Sequence, residues 1–232
     1  MSEVHTPLDV PLTREQIQQF YSMVAPAYDG QTARFEAEPK ALAVGKLARK
    51  PGERLLEVAV GTGGGMLEVM RASGAEGVVG IDVAPGMLAF TRKRLAEAGI
   101  GPVPLLLADA RHLPFKAATF DCLFNSYMLD LIPNADTSKV LAEFRRVLKP
   151  GGRIVLANLT EGEGEDAAFS EGWKERFQAN PLQVGGCRPV LTRPFLESEG
   201  FVDIVREYRG GQSWPTEVVT AKAPPHAVTR RV

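Results

Sequence analysis

Apolar residues recur along this chain with two different periods. Short unbroken runs at 55–59, 77–82, 103–108, 119–126 and 153–158 read as strands buried on both faces. Between them the apolar residues fall at helical spacing. Ile17, Phe20, Tyr21 and Val24 mark a helix that opens at Thr13, with Gln16 placed to complete a capping box. A second helix over 34–49 turns Phe35, Leu42 and Leu47 inward, and helical residues resume at Met66-Leu67-Glu68-Val69-Met70. Pro85 sits at a tolerated first-turn position of the next helix, and further helices are expected over 138–148 and 192–199. Strands alternating with helices at this spacing imply parallel pairing with right-handed crossovers, hence a doubly wound α/β sheet. Two last strands, 201–208 and 213–223, flank Arg209-Gly210-Gly211-Gln212 and read as an antiparallel hairpin.

Outside these elements the pattern loosens. Residues 1–12 hold two prolines and little periodicity, and read as a loose arm. Residues 160–190 carry Glu161-Gly162-Glu163-Gly164-Glu165-Asp166, a mobile loop leading to an amphipathic piece around Phe169, Trp173 and Phe177. No internal repeat or second domain boundary is evident. At 232 residues the chain is expected to form a single domain over 1–232. Its parts are an arm and lid at 1–30, a binding core at 50–160, a variable region at 160–200 and the hairpin at 201–223.

Composition narrows the classes. A net charge of −1 gives no general attraction to nucleic acid. Cys122 and Cys187 form no C-x-x-C pair, so free thiols in a reducing compartment are expected, with no metal signature. No secretory leader and no apolar run long enough to span a bilayer are read, so the expectation is a soluble cytoplasmic protein.

The candidate chemistry centres on Gly61-Thr62-Gly63-Gly64-Gly65, between the first strand and its helix. Such a loop sets free backbone N–H groups and a helix N-terminus at the carboxyl edge of a sheet, where nucleotide-like ligands bind. A dinucleotide fingerprint needs a sixth-position glycine, and Met66 stands there instead. What is present is Glu57-x-Ala59-x-Gly61-x-Gly63. Asp82 follows Gly61 by 21 residues at the end of the second strand, placed either to accept hydrogen bonds from a ribose diol or to cap the next helix.

The loop resembles the first motif of class I S-adenosylmethionine-dependent methyltransferases, acid-x-Gly-x-Gly-x-Gly, with Ala59 at the first glycine. Leu113-Pro114-Phe115 with Thr119-Phe120-Asp121, and Glu143-Phe144-Arg145-Arg146-Val147-Leu148-Lys149-Pro150-Gly151-Gly152, resemble two further passages of that family. Phe20-Tyr21, Ala25, Ala27, Tyr28 and Asp29 are similar to a lid segment in the broad group around the menaquinone/ubiquinone C-methyltransferases. The resemblance spans about residues 20–223 and implies a seven-stranded Rossmann-like sheet with an N-terminal helical lid. It implies S-adenosyl-L-methionine as cofactor, S-adenosyl-L-homocysteine as product, and a small, apolar or aromatic methyl acceptor.

On that resemblance the cofactor site comprises Glu57, Ala59, Gly61, Gly63, Asp82, Val83, Met87, Asp109, Ala110, Asn125 and Tyr28. Val83 and Met87 would wall the adenine, although Met87 suits ordinary core equally. Asp109 would accept from the adenine amine or be a plain loop acid. Relatives place residues after the fourth strand beside the reacting methyl, here Asn125 to Asp130. Many carry a histidine there and this chain has none. Asp130 is the candidate base, or else a helix cap or loop anchor, and Tyr21 and Tyr28 are the lid groups over the acceptor or docking contacts. The alternatives are an NAD-type oxidoreductase, or a methyltransferase-like fold that binds S-adenosylmethionine without transferring its methyl.

Overall fold

A computed structural model describes residues 8–225. Seven strands form one sheet in the order β3-β2-β1-β4-β5-β7-β6. They are β1 (Leu55–Val58), β2 (Val78–Asp82), β3 (Leu105–Leu107), β4 (Phe120–Ser126), β5 (Leu148–Leu159), β6 (Val202–Arg209) and β7 (Thr216–Lys222). The first five run parallel and the C-terminal pair antiparallel, as the alternation implied. The order reverses at β1, which pairs with β2 on one side and β4 on the other. The carboxyl ends beside that reversal are where doubly wound folds place ligands.

Helices cover both faces because the strands are apolar on both. On one face α2 (Tyr28–Leu47), α3 (Gly64–Ser73) and α4 (Pro85–Glu97) close a core around Leu47, Leu55, Met66, Val69, Leu88, Cys122 and Phe124. On the other, α5 (Asn134–Val147) and α7 (Arg193–Ser198) pack around Leu56, Leu123, Leu141, Phe144 and Leu196. α1 (Arg14–Val24) starts with both halves of the expected capping box: Gln16 N donates to Thr13 Oγ1, and Thr13 N to Gln16 Oε1.

Several sequence expectations are corrected. α2 begins at Tyr28, six residues before position 34, so Gly30 lies inside a helix. Its inward face is Thr32, Glu36, Pro39, Ala43 and Leu47, whereas Phe35 is only half-buried and stacks on Trp214 at 5.1 Å between centroids. β5 starts at Leu148 and runs straight through Pro150-Gly151-Gly152, because Gly151 N donates to Ala223 O and Ala223 N to Gly152 O. Residues 8–12 are not loose: Val10 is buried and Asn134 N donates to Asp9 Oδ1 at 2.7 Å. The rest of the expected arm, residues 1–7, lies outside the described residues.

The acidic stretch after β5 is tied down as well. Tyr208 Oη donates to Asp166 Oδ2 at 2.7 Å, Arg206 pairs with Glu163 at 2.7 Å, and Gly162 N donates to Ser170 Oγ at 2.6 Å. The amphipathic piece that follows is α6 (Ala167–Ala179), whose Trp173 and Phe177 pack under Leu159. Among the described residues no helix is long and apolar enough to cross a membrane.

Candidate functional site

The glycine loop is pinned from three directions. Gly61 N donates to Asp82 Oδ2 at 2.9 Å, Thr91 Oγ1 donates to Gly61 O at 2.8 Å, and Thr62 Oγ1 donates to Asp29 Oδ1 at 2.6 Å. Asp29 also pairs with Arg94, so one carboxylate ties α2 to the loop and to α4. The backbone is left-handed at Ala59 (φ 57°), Gly61 (φ 56°) and Gly63 (φ 82°). Glycine adopts such angles without the Cβ penalty that Ala59 carries.

The two loop glycines do different work. A Cβ at Gly63 would stand 2.9 Å from Thr91 Cγ2, so its neighbour is protein rather than ligand. A Cβ at Gly61 meets nothing within 4 Å and would project into open space. Gly61 lines the cavity at the sheet edge and Gly63 does not, which corrects the expectation that both approach a ligand.

That cavity gathers most of the predicted set: Glu57, Ala59, Gly61, Asp82, Val83, Met87, Asp109, Ala110, Tyr21 and Tyr28 all line it. Asn125 does not. It is fully buried and donates from Nδ2 to Val58 O at 2.8 Å, so it braces β1 against β4. Asp82 is 6% exposed, and burial lifts its pKa to about 6 against the amides of Ala84, Gly61 and Val83 that favour the anion. Glu57 is 2% exposed with Oε2 unpartnered, and burial lifts it to about 8, with Lys40 opposing and Glu68 and Asp82 adding to the rise. Burial also works on Asp109, but Arg111, which grips both its oxygens at 2.9–3.2 Å, outweighs that and holds the group below its ordinary value. The Asp109 carboxylate is therefore already engaged.

A second cavity of about 260 Å³ adjoins the first and shares Tyr21, Tyr28 and Tyr127 with it. Tyr127, at φ 51° after β4, is held by its N–H on Ala157 O at 2.7 Å and by a 3.0 Å hydroxyl contact with Thr216. Trp173 and Trp214 stand 5.5 Å apart in a T-shaped pair in the far wall. Asp130 lies here and not in the first cavity, in a short 3₁₀ turn (Leu129–Leu131). It is fully buried, caps nothing, and neither oxygen has a hydrogen-bond partner. Burial raises its pKa to about 7; the nearby main chain of Asp130 and Leu159 and the Arg188 charge pull the other way. Cys187 also lines this cavity, with Sγ 3.6 Å from Tyr21 Oη.

Sequence reasoning missed three groups here. Glu36, 1% exposed, accepts from Tyr28 Oη at 3.0 Å and from Lys40 Nζ at 2.5 Å. Lys40 in turn reaches the first cavity and stands 5.6 Å from the centre of the Tyr127 ring. Trp214 lies in the loop before β7. The i,i+4 spacing of Glu36 and Lys40 was visible, but with Phe35 taken as inward the pair reads as an exposed helix bridge.

The residues of the first cavity fit an S-adenosyl ligand. Glu57 Oε2 is an unpartnered buried acceptor suited to an ammonium, Asp82 keeps acceptor capacity beyond its two amides, and the open side of Gly61 leaves room for a chain.

Comparisons with known proteins agree. A family model described as a methyltransferase domain matches residues 55–152. A ubiquinone/menaquinone biosynthesis C-methyltransferase of Marinomonas sp. is 39% identical over 118 residues, 50% of this chain and 46% of that one. A demethylmenaquinone methyltransferase of Thermus thermophilus is 40% identical over 141 residues, covering 59% and 62%. The chain spans about half the length of the first curated relatives it matches. Among solved structures, the [4+2]-cyclase SpnF superposes with a TM-score of 0.73 at 20% identity over 96% of this chain and 100% of that one. Phosphoethanolamine N-methyltransferase 2 of Haemonchus contortus, with phosphomonomethylethanolamine and S-adenosylhomocysteine, gives 0.70 at 21% identity over 93% and 62%. Residues 55–152 match a methyltransferase domain, and in sheet order and glycine loop the chain resembles the class I S-adenosylmethionine-dependent methyltransferases.

Proposed function

We propose that the chain transfers a methyl group from S-adenosylmethionine to a small apolar or aromatic acceptor. The observation that carries this reading is the pair of adjoining cavities. One is built on the glycine loop with Glu57 and Asp82, the other is walled by aromatic rings, and they meet at Tyr21, Tyr28 and Tyr127. When bound, S-adenosylmethionine supplies a methyl on a positively charged sulfur that leaves as a neutral thioether, so no covalent help from the protein is needed.

The residues then supply position and dryness. Asp82 would hold the ribose diol, Glu57 the amino end of the methionine part, and Val83 with Met87 the flat faces of the adenine. Gly61 N is already engaged with Asp82, which keeps the loop in place before any ligand arrives. Tyr21 and Tyr28 close the junction from the lid side: Tyr21 Oη donates to Gly185 O at 3.0 Å and Tyr28 Oη to Glu36. Burial raises the pKa of both phenols, so they stay protonated and serve as walls and donors. Asp130, in the acceptor cavity, is the group able to take a proton there. The NAD alternative is not favoured, since Met66 breaks its fingerprint and the relatives are named as methyltransferases.

Incubating the full chain with methyl-labelled S-adenosylmethionine and a panel of phenols, quinones, thiols and amines tests the reading. Label transfer to at least one class is expected. Tight S-adenosylhomocysteine binding with no transfer across the whole panel would speak for the binding-only alternative.

A further inference from the structure

The acceptor cavity holds a carboxyl group for which the fold supplies no hydrogen-bond donor. Asp130 is fully buried, and both of its oxygens lack a hydrogen-bond partner. Its neighbours do not supply the missing donors. Arg188 favours the anion by its charge but makes no hydrogen bond to it: Nη2 bonds Ile132 O at 2.9 Å and Asn134 Oδ1 at 2.7 Å, and Nε is buried without a partner. Lys40 is committed to Glu36, and Glu36 also takes the Tyr28 hydroxyl. Arg176 lines the cavity only at its exposed rim, 6.0 Å from the centre of the Trp173 ring. An isolated buried carboxylate is costly unless a partner is expected in the same space.

The walls around it have a second property. Tyr21, Tyr28, Tyr127, Trp173 and Trp214 border the same cavity, at angles that rule out one continuous stack: Tyr21 and Tyr28 are inclined by 55°, Tyr127 and Trp214 by 80°, Trp173 and Trp214 by 64°. Aromatic ring faces beside a carboxylate form the surroundings that attract organic cations, and rings inclined to one another do not all turn their edges the same way. A hydroxyl acceptor brings one donor and would leave one Asp130 oxygen unmet. A primary ammonium brings three donors and a positive charge.

Resting on the methyltransferase reading, we propose that the acceptor is an amine, entering as an ammonium that pairs with Asp130 within the ring of Tyr21, Tyr28, Tyr127, Trp173 and Trp214. The chemistry balances. The ammonium passes one N–H proton to the Asp130 carboxylate, and the freed nitrogen pair forms the new N–C bond as the C–S bond breaks. The C–S electrons stay on sulfur, giving the neutral thioether. The product is a methylated ammonium, and Asp130 later releases its proton to solvent. Asp130 is here a catalytic residue that also selects charge.

Two titrations of the full chain by calorimetry test this. The first measures S-adenosylhomocysteine on wild type and on Asp130→Asn, which keeps the shape and removes the charge. The second, with and without S-adenosylhomocysteine, uses pairs of primary amine and neutral isostere, such as 2-phenylethylamine with 2-phenylethanol, and 4-ethylphenol as a phenol. The expected result is that amines bind at least ~10-fold tighter than their isosteres, in line with one charge-assisted contact, and that Asp130→Asn abolishes this preference at unchanged S-adenosylhomocysteine affinity. Hydroxyl probes binding as well as amines, a preference that survives Asp130→Asn, or no amine in the panel binding at all would each overturn the proposal. Failure of the methyltransferase reading shows separately, as no S-adenosylhomocysteine binding in the first titration, and the amine titration without it still decides the cation site.

Discussion

Asp82 accepts from Gly61 N through Oδ2 and from Ala84 N through Oδ1, so each oxygen keeps a lone pair for a ribose hydroxyl. In the sequence the ribose and capping roles competed; in the structure one carboxylate holds the loop and the start of α4 and still borders the cavity. Asp82→Asn should weaken S-adenosylhomocysteine binding by about 1.5–3 kcal/mol. A diol donates to the anion, and burial places this pKa at about 6. Wild-type affinity should therefore fall as pH drops through about 6, and the Asn variant should not follow it. A flat wild-type profile in a folded protein would remove Asp82 from the site. Ala59 makes a different point at the same scale. Sequence showed an alanine where relatives carry glycine, but not that its φ is 57°. Left-handed backbone costs a residue with a Cβ about 1–2 kcal/mol. Ala59→Gly should thus raise stability in urea unfolding by roughly 1 kcal/mol after the extra unfolded-state entropy of glycine, and a loss of stability would refute the strain.

At the scale of elements, α1 is held by few buried side chains. Ile17 is its one buried residue, yet α1 carries Tyr21 over the junction of the two cavities. It docks on α4 so closely that a Cβ at Gly86 would lie 2.7 Å from the Ser22 backbone. Gly86→Ala should act as a wedge under α1, weakening S-adenosylhomocysteine binding while the far-UV spectrum stays native. Hydrogen exchange over 17–30 should slow when that ligand is added to wild type. Exchange indifferent to ligand, with a Gly86→Ala protein that binds normally, would reduce α1 to packing. This helix was legible because its cap and spacing are local. The start of α2 was not, since Gly30 and Pro39 argue against a helix locally while the buried contacts of Thr32, Glu36 and Ala43 override them. The aromatic wall was illegible for a similar reason: Trp173 and Trp214 are 41 positions apart and meet only through the fold.

Across the whole molecule, three buried carboxylates set how stability responds to pH. Burial raises Glu57 to about 8, Asp130 to about 7 and Asp82 to about 6. Each raised group binds its proton better folded than unfolded, so folding gives up stability as pH climbs from the unfolded value near 4 through the folded one. The expected cost is on the order of 3 kcal/mol per group once ionised. Glu53, Asp121 and Glu143, lowered by Arg153, Lys149 and Arg146 against the opposing pull of burial, act oppositely but only below about pH 4.5. Melting temperature should therefore decline from pH 5 to pH 8.5, and Glu57→Gln should make the decline shallower. A rise over that range would show that these acids are better solvated than the structure places them. The sheet order and the position of the first cavity could be read from strand–helix alternation and one glycine loop. The acids that fill the cavities could not, because a carboxylate in sequence looks the same buried or exposed.

If the cavity at the glycine loop takes an S-adenosyl ligand, calorimetric titration of the full chain with S-adenosylhomocysteine, and in parallel with NAD, will show it. Saturable one-to-one binding of S-adenosylhomocysteine is expected, lost in Gly61→Val, whose side chain would enter the open space beside the loop, with no binding of NAD. Binding of NAD with S-adenosylhomocysteine ignored, or full affinity in a folded Gly61→Val protein, would contradict it.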